Sequence, residues 1–190
     1  MFPMKTQYNP LLGLFCAIAL ASCADKSQPD NMPVSGPVRP ANPIADHLFQ
    51  EVNTYRRSQG AKELQRHAGL DRLAQDHCEY LRQHRGSFSL AGGNISHMGS
   101  DGRATLARER YNMVNVGENV AAANHAGNTP VPSLMSLFKT SSQQNKNLLD
   151  KWTHTGVGIV VDSDGTVFAT QIFSTVSYSQ LSNRERFNHF

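Results

Sequence analysis

The sequence predicts an α+β domain in which helices come first along the chain and paired strands come last. Between residues 47 and 140, apolar residues recur at the spacing that places them on one face of a helix. Between residues 157 and 173 the spacing changes to the alternation typical of strands, interrupted by a turn signal at residues 163–165. Since an antiparallel sheet must bury one face or both, the helices are expected to cover it.

Four helices are predicted before the strand region. The first covers residues 47–58, because Leu48, Val52 and Tyr55 share one face and Gly60 follows as a stop. The same spacing of apolar residues predicts three more helices, over residues 68–84, 103–111 and 132–140.

A β-hairpin is predicted near the C-terminus. Val157, Ile159 and Val161 alternate with other residues in its first strand, and the second strand runs from Val167 to Phe173. A further strand is predicted from Asn115 to Ala122.

The N-terminus has the pattern of an export signal over residues 1–22. A start carrying Lys5 precedes an apolar run over residues 11–20, which is too short to cross a bilayer of about 30 Å. The order Leu20, Ala21, Ser22, Cys23 resembles the lipobox of bacterial lipoproteins. That resemblance implies that the thiol of Cys23 receives a diacylglycerol, such as one built with palmitate, and becomes the new N-terminus. The alternative is an ordinary signal peptide cut near Ser22.

The rest of the chain divides into a linker, one domain and a tail. Residues 23–44 are rich in proline and polar residues, residues 45–178 form the predicted domain, and residues 179–190 are a polar tail. Acylation of Cys23 would leave Cys78 as the one free thiol of the exported chain, so a disulfide framework is excluded. Loss of the leader changes the net charge from +3 to +2, which gives no case for nucleic-acid binding.

Several short motifs occur in a fixed order between residues 47 and 174. They are Val52-Asn53-Thr54-Tyr55-Arg56, the helix with Leu70, Leu73 and Ala74, Ser96-His97-Met98-Gly99, Gly117-Glu118-Asn119-Val120-Ala121, Asn147-Leu148-Leu149, Gly156-Val157-Gly158 and Thr170-Gln171-Ile172-Phe173. Taken together, they resemble the CAP domain, also called SCP, of cysteine-rich secretory and pathogenesis-related proteins. The version without disulfides looks like the bacterial branch, here a lipoprotein. The resemblance implies an α-β-α sandwich, with a central antiparallel sheet between helical layers and a cleft built from loops.

The resemblance also implies a cleft with two histidines and at least one glutamate, able to bind zinc or another divalent metal. His97 and Glu118 carry over, but Gln144 stands at the place of the second histidine. The cleft residues predicted on this basis are His97, Glu118, Asn119, Gln144 and Asn147.

A zinc site would need a further ligand, because stable sites present three or four protein ligands. His154 and His125 are the candidates for that ligand. The alternative is a hydrogen-bonded pair of His97 and Glu118 without metal.

Three functions follow from these residues. The first is a non-catalytic module that binds a small apolar or glycan ligand in the cleft. The second is a metal-dependent hydrolase of envelope peptides or glycans, with Glu118 as general base. The third is a scaffold that contacts an envelope protein through a loop at residues 123–132. The expected location is the membrane, through Cys23, and the outer membrane if the cell has two, because Ala24 rather than Asp follows the cysteine.

Overall fold

A computed structural model describes residues 42–88, 96–124 and 130–176. The predictions for the leader, for Cys23, for His125 and for the tail fall outside these residues. Five α-helices, one short 3₁₀-helix (Arg85–Ser87) and four strands lie within the described part. The helices are α1 (Pro43–Ser58), α2 (Ala68–Gln83), α3 (Ser100–Tyr111), α4 (Val131–Thr140) and α5 (Ser142–Leu149); the strands are β1 (Gln65–Arg66), β2 (Met113–Asn124), β3 (His154–Val161) and β4 (Thr166–Val176).

The strands form one sheet in the order β1-β3-β4-β2. The predicted hairpin is present as β3 and β4, which pair antiparallel and meet at Val161 and Val167. The predicted strand around Asn115 is β2, which pairs antiparallel with β4 and lies at the outer edge of the sheet. β1 pairs parallel with the other edge, and its two residues are too few to show a period in the sequence.

Helices cover both faces of this sheet, which confirms the α-β-α sandwich. On one face α1 and α4 contribute Leu48 and Phe138 to a core shared with Val157 and other sheet residues. On the other face α2 lies directly on β3, since a Cβ atom added at Gly158 would lie 2.3 Å from the backbone of Ala74. Successive strand residues point to opposite layers, so Gly156 and Gly158 both face α2, and neither position has room for a side chain.

Several helices begin at residues other than those predicted. α3 begins at Ser100, three residues before its predicted start, and follows Gly99 without a side-chain cap. Capping side chains decide where two other helices begin. α1 begins at Pro43, within the predicted linker, because the side chain of Asn42 accepts hydrogen bonds from the amides of Ile44 and Ala45. α5 was not predicted from periodicity, and it begins after Ser141, whose side chain accepts from the Gln144 amide. No helix in residues 42–88, 96–124 or 130–176 is long and apolar enough to span a membrane.

Candidate functional site

Glu118 lies at the centre of a charged cluster between β2 and α3. Its Oε1 accepts hydrogen bonds from His97 Nδ1 and Arg103 Nη2, both at 2.8 Å, and its Oε2 accepts from Arg103 Nε at 2.7 Å. The side chains of Glu118 and Arg103 are only 8% and 12% exposed. A guanidinium that contacts both oxygens of a shielded carboxylate makes a strong, directional ion pair. Both oxygens of Glu118 are therefore already engaged within the protein.

Arg103 also holds the loop that carries His97. Its Nη1 donates to the carbonyl of Met98 at 2.9 Å, while α3 positions its backbone one turn after Gly99. Gly99 has φ of 78°, a conformation that favours glycine and that turns the loop into the helix. Arg103 was not predicted from the sequence as a partner of Glu118. The general rule that a buried carboxylate is paired with a cation could have indicated that such a partner exists.

The partners of Glu118 keep it ionised. Burial by itself raises the pKa of this carboxyl group, but the hydrogen bonds from His97 and Arg103 outweigh burial and hold the pKa below its usual value. A carboxylate with a lowered pKa is a weak proton acceptor at neutral pH. The electrostatics of the site therefore oppose a general-base role for Glu118.

His97 presents the accessible polar group of the cluster. Its side chain is 44% exposed, and Nδ1 is directed at Glu118. With Nδ1 directed at the carboxylate, Nε2 is the ring nitrogen left to form a hydrogen bond with a ligand.

The remaining predicted cleft residues form a separate cluster, which attaches α5 to β2. Asn119 Nδ2 donates to the carbonyl of Gln144 at 3.0 Å. Asn147 Nδ2 donates to the carbonyl of Glu118 at 3.1 Å and to Asn119 Oδ1 at 3.0 Å. Because β2 residues alternate between layers, Glu118 points toward α3 and Asn119 toward α5. Gln144 thus joins this cluster through its backbone, and the side-chain hydrogen bonds of His97 and Glu118 within the described residues do not include it.

His77 of α2 is a buried neighbour of the charged cluster. It is 2% exposed, and its Nδ1 lies 3.1 Å from Thr170 Oγ1. Burial lowers the pKa of His77 to about 4; the charge of Glu118 opposes this shift, while Arg103 and His97 add to it. The ring is therefore neutral at physiological pH.

The described residues do not fit the zinc ion that the family resemblance implies. No group of three potential ligands occurs among them. His154 lies against His67 at the start of α2, with ring centroids 6.0 Å apart, rather than beside His97. The charge that a metal would place next to Glu118 is already supplied by Arg103. A divalent cation at Glu118 would be repelled by the positive charge of Arg103, so the described residues give no basis for metal chemistry at this site.

The sequence model of the cysteine-rich secretory protein family, CAP, matches residues 49–176. The motifs and the sandwich agree with this match. The chain belongs to the CAP family. Its structural neighbours share this fold. A comparison with curated proteins found no significant match.

Three solved structures illustrate the likeness. An outer surface protein of Borrelia burgdorferi is 13% identical with a TM-score of 0.55, and the match covers 70% of this chain and 92% of that one. An extracellular SCP-domain protein of Bacillus anthracis is 24% identical with a TM-score of 0.52, over 74% of this chain and 45% of that one. A cysteine-rich secretory protein of Staphylococcus aureus is 21% identical with a TM-score of 0.50, over 73% and 40%. This CAP chain thus spans less than half of the last two proteins, and the likeness to all three concerns the fold.

Proposed function

We propose that this CAP protein is exported, anchored by a lipid on Cys23, and binds a glycan in the cleft beside His97 without catalysing a reaction on it. The observation that carries the proposal is the ion pair in which Arg103 contacts both oxygens of Glu118. Binding needs only an accessible hydrogen-bonding surface, whereas hydrolysis needs a base or a metal that can activate water.

The exposed groups at the cleft favour a glycan over an apolar ligand. His97 presents a ring nitrogen, and an apolar ligand that covered it would leave a polar atom without a partner. Beside it, Met98 is 64% exposed and receives a hydrogen bond from Tyr80 Oη on Sδ at 2.9 Å. Tyr80 in turn stacks on His84, with centroids 4.1 Å apart. A sugar ring offers both hydroxyl groups for His97 and an apolar face for Met98.

Membrane attachment is supported by the leader and by the lipobox-like order that ends at Cys23. A residue carrying two acyl chains binds a bilayer firmly, as a single chain does not. The polar, proline-rich stretch before Asn42 would then separate the domain from the membrane surface. If the cell has two membranes, Ala24 favours the outer one.

Glycan binding is tested by titrating an N-acetylglucosamine tetramer into the isotopically labelled protein and recording amide shifts by NMR. We expect saturable shifts around His97 and Met98, and at least tenfold weaker binding by His97→Ala. His47→Ala is the matched control, because the His47 side chain is also 44% exposed but lies on α1. Absence of these shifts at millimolar sugar would contradict glycan binding, and release of shorter sugars would contradict a non-catalytic cleft.

The anchor is tested by labelling cells with a palmitate analogue and separating membranes from soluble fractions. Cys23→Ala is expected to lose both the label and the membrane association. Cys16→Ala, which changes a cysteine inside the leader, should retain both. A Cys23→Ala protein that still fractionates with membranes would show that the chain is held there in another way.

A further inference from the structure

A second surface, separate from the His97 cleft, is a groove along the outer edge of β2. It has a volume of about 440 Å³ and lies between α3 and the segment that follows α5. Val114 and Val116 of β2 line its floor, Arg108 lines one wall, and Lys151 and Trp152 line the other.

The floor of this groove is an unpaired strand edge. β2 is the last strand of the sheet, so its outer side pairs with no strand in the described part of the chain. The Glu118 carbonyl points outward, because it accepts a hydrogen bond from Asn147 of α5. The direction of backbone groups alternates along a strand, so the amide and carbonyl of Val116 also point outward. The Asn115 carbonyl agrees with this assignment, since it points inward and accepts from Ser174 Oγ of β4 at 2.6 Å.

The open edge is short. A bulge at Val114, where Met113 pairs with Val176 and Asn115 with Thr175, interrupts the regular ladder on one side. On the other side Asn147 occupies the outward carbonyl of Glu118. A segment of about three residues can therefore pair with β2 here, at a rise of roughly 3.4 Å per residue.

The walls of the groove carry an excess of positive charge. Arg108 and Lys151 are both exposed. The acidic neighbour, Asp150, accepts a hydrogen bond from the Lys151 amide at 2.7 Å and interacts electrostatically with the buried Arg56. Its negative charge is thus partly balanced within the protein, while the two cations on the walls face solvent.

Trp152 makes one wall rigid. Its Nε1 donates to the Asn147 carbonyl at 2.8 Å, and its ring stacks on Phe173 with centroids 6.1 Å apart. The ring also lies against Gly117, where an added Cβ atom would come within 2.9 Å of it. A ligand would therefore meet a fixed aromatic surface rather than one that must be ordered on binding.

We propose that this groove binds a short extended peptide with carboxylate side chains, which adds as a strand to the outer edge of β2. Val116 supplies the backbone hydrogen bonds, and Arg108 and Lys151 bind the carboxylates on the two sides of the added strand. This is the strand-addition mode of peptide recognition, in which backbone pairing gives affinity and side chains give specificity. The alternative is that Arg108, Lys151 and the bulge only protect the edge of β2 from pairing with other strands, as charges and bulges do in many sheets. In that case no peptide should bind.

Trp152 is the single tryptophan of the sequence, so its fluorescence reports occupancy of the groove in the unlabelled protein. The probe is the peptide acetyl-Val-Val-Glu-Glu-Val-amide, whose adjacent glutamates point to opposite sides of an added strand. Its comparison is the same peptide with lysine in place of glutamate. We expect a saturable change in emission with the acidic peptide and at least tenfold weaker binding of the basic one. An acidic peptide with methylated backbone nitrogens should bind at least tenfold more weakly than the unmodified peptide.

The double variant Arg108→Glu, Lys151→Glu should reverse the preference and bind the basic peptide at least tenfold better than the acidic one. Lys62→Glu, Lys146→Glu is the control with the same change of charge, at exposed residues outside the groove, and should leave the preference unchanged. Circular dichroism verifies that each variant is folded. No saturable emission change at millimolar acidic peptide, or equal binding of the two peptides, would overturn the proposal. Neither outcome bears on glycan binding at His97, which is measured with a different ligand and variant.

Discussion

Replacing Arg103 by alanine is expected to lower the free energy of unfolding by about 2 to 4 kcal/mol. The substitution leaves the carboxylate of Glu118, whose side chain is 8% exposed, with His97 as its one remaining side-chain donor among the described residues. It also removes the bond to the Met98 carbonyl, which ties the His97 loop to α3. A shielded charge that loses its partner costs far more than the pair contributes, because its desolvation is no longer compensated.

Urea unfolding at neutral pH measures this effect. Arg110→Ala, which removes an exposed arginine from the same helix, should change the unfolding free energy by less than about 0.5 kcal/mol. Glu118→Gln combined with Arg103→Met should recover part of the loss, since the pair is then removed together. Equal stability of Arg103→Ala and Arg110→Ala would show that the ion pair does not hold this part of the fold.

Acidification from pH 7 to pH 4 is expected to cost about 3 kcal/mol of stability through His77 alone, at 1.36 kcal/mol per pKa unit. Burial lowers the pKa of His77 from 6.5 to about 4 in the folded protein, so the folded state favours the neutral ring. This contribution is fully present above pH 6.5, decreases as the pH falls toward 4, and is lost below that. The pKa of Glu118 lies below its usual value of 4.5, so its contribution to stability is present above pH 4.5 and decreases as the pH falls below it.

The stability of His77→Asn is expected to change less between pH 7 and pH 4.5, because asparagine retains a polar group near Thr170 and does not titrate. His47→Asn, the same substitution at a histidine whose side chain is 44% exposed, is the control. The quantity compared is the change in the free energy of unfolding with pH. A loss of stability in His77→Asn that is the same at every pH therefore does not affect the comparison. Identical slopes for the parent and His77→Asn would show that another group titrates in this range.

The α+β organisation could be predicted from the sequence because the main elements carry clear apolar patterns, whereas the α-β-α layering was implied by the family resemblance. The Leu48 face of α1 follows from burial of one side of the helix. In β3, Val157 and Ile159 alternate with glycines that lie against α2. Polar α5 and two-residue β1 lack such a signal, and capping by Ser141 and pairing with β3 define them instead. Asn42 likewise moved the start of α1 into the predicted linker, because a single capping side chain decides where the helix begins.

The candidate site could be predicted only in part. Family motifs pointed to His97 and Glu118, and the structure places them 2.8 Å apart. The same motifs placed Gln144 in one cleft with them, but the alternation of β2 directs Glu118 and Asn119 to opposite layers, and Gln144 bonds to the second. Arg103 was not predicted because its role depends on how α3 packs against β2, and no local pattern encodes that contact.

Calorimetric titration of zinc into the purified protein tests most directly whether Arg103 replaces a metal at Glu118. The parent and His97→Ala are expected to give the same weak heats, with no stoichiometric site that depends on His97, because both oxygens of Glu118 stay engaged by Arg103. One-to-one binding in the parent that disappears in His97→Ala would mean that Arg103 releases Glu118 to a metal. The cleft would then be a metal site, and hydrolysis rather than binding alone would be its expected chemistry.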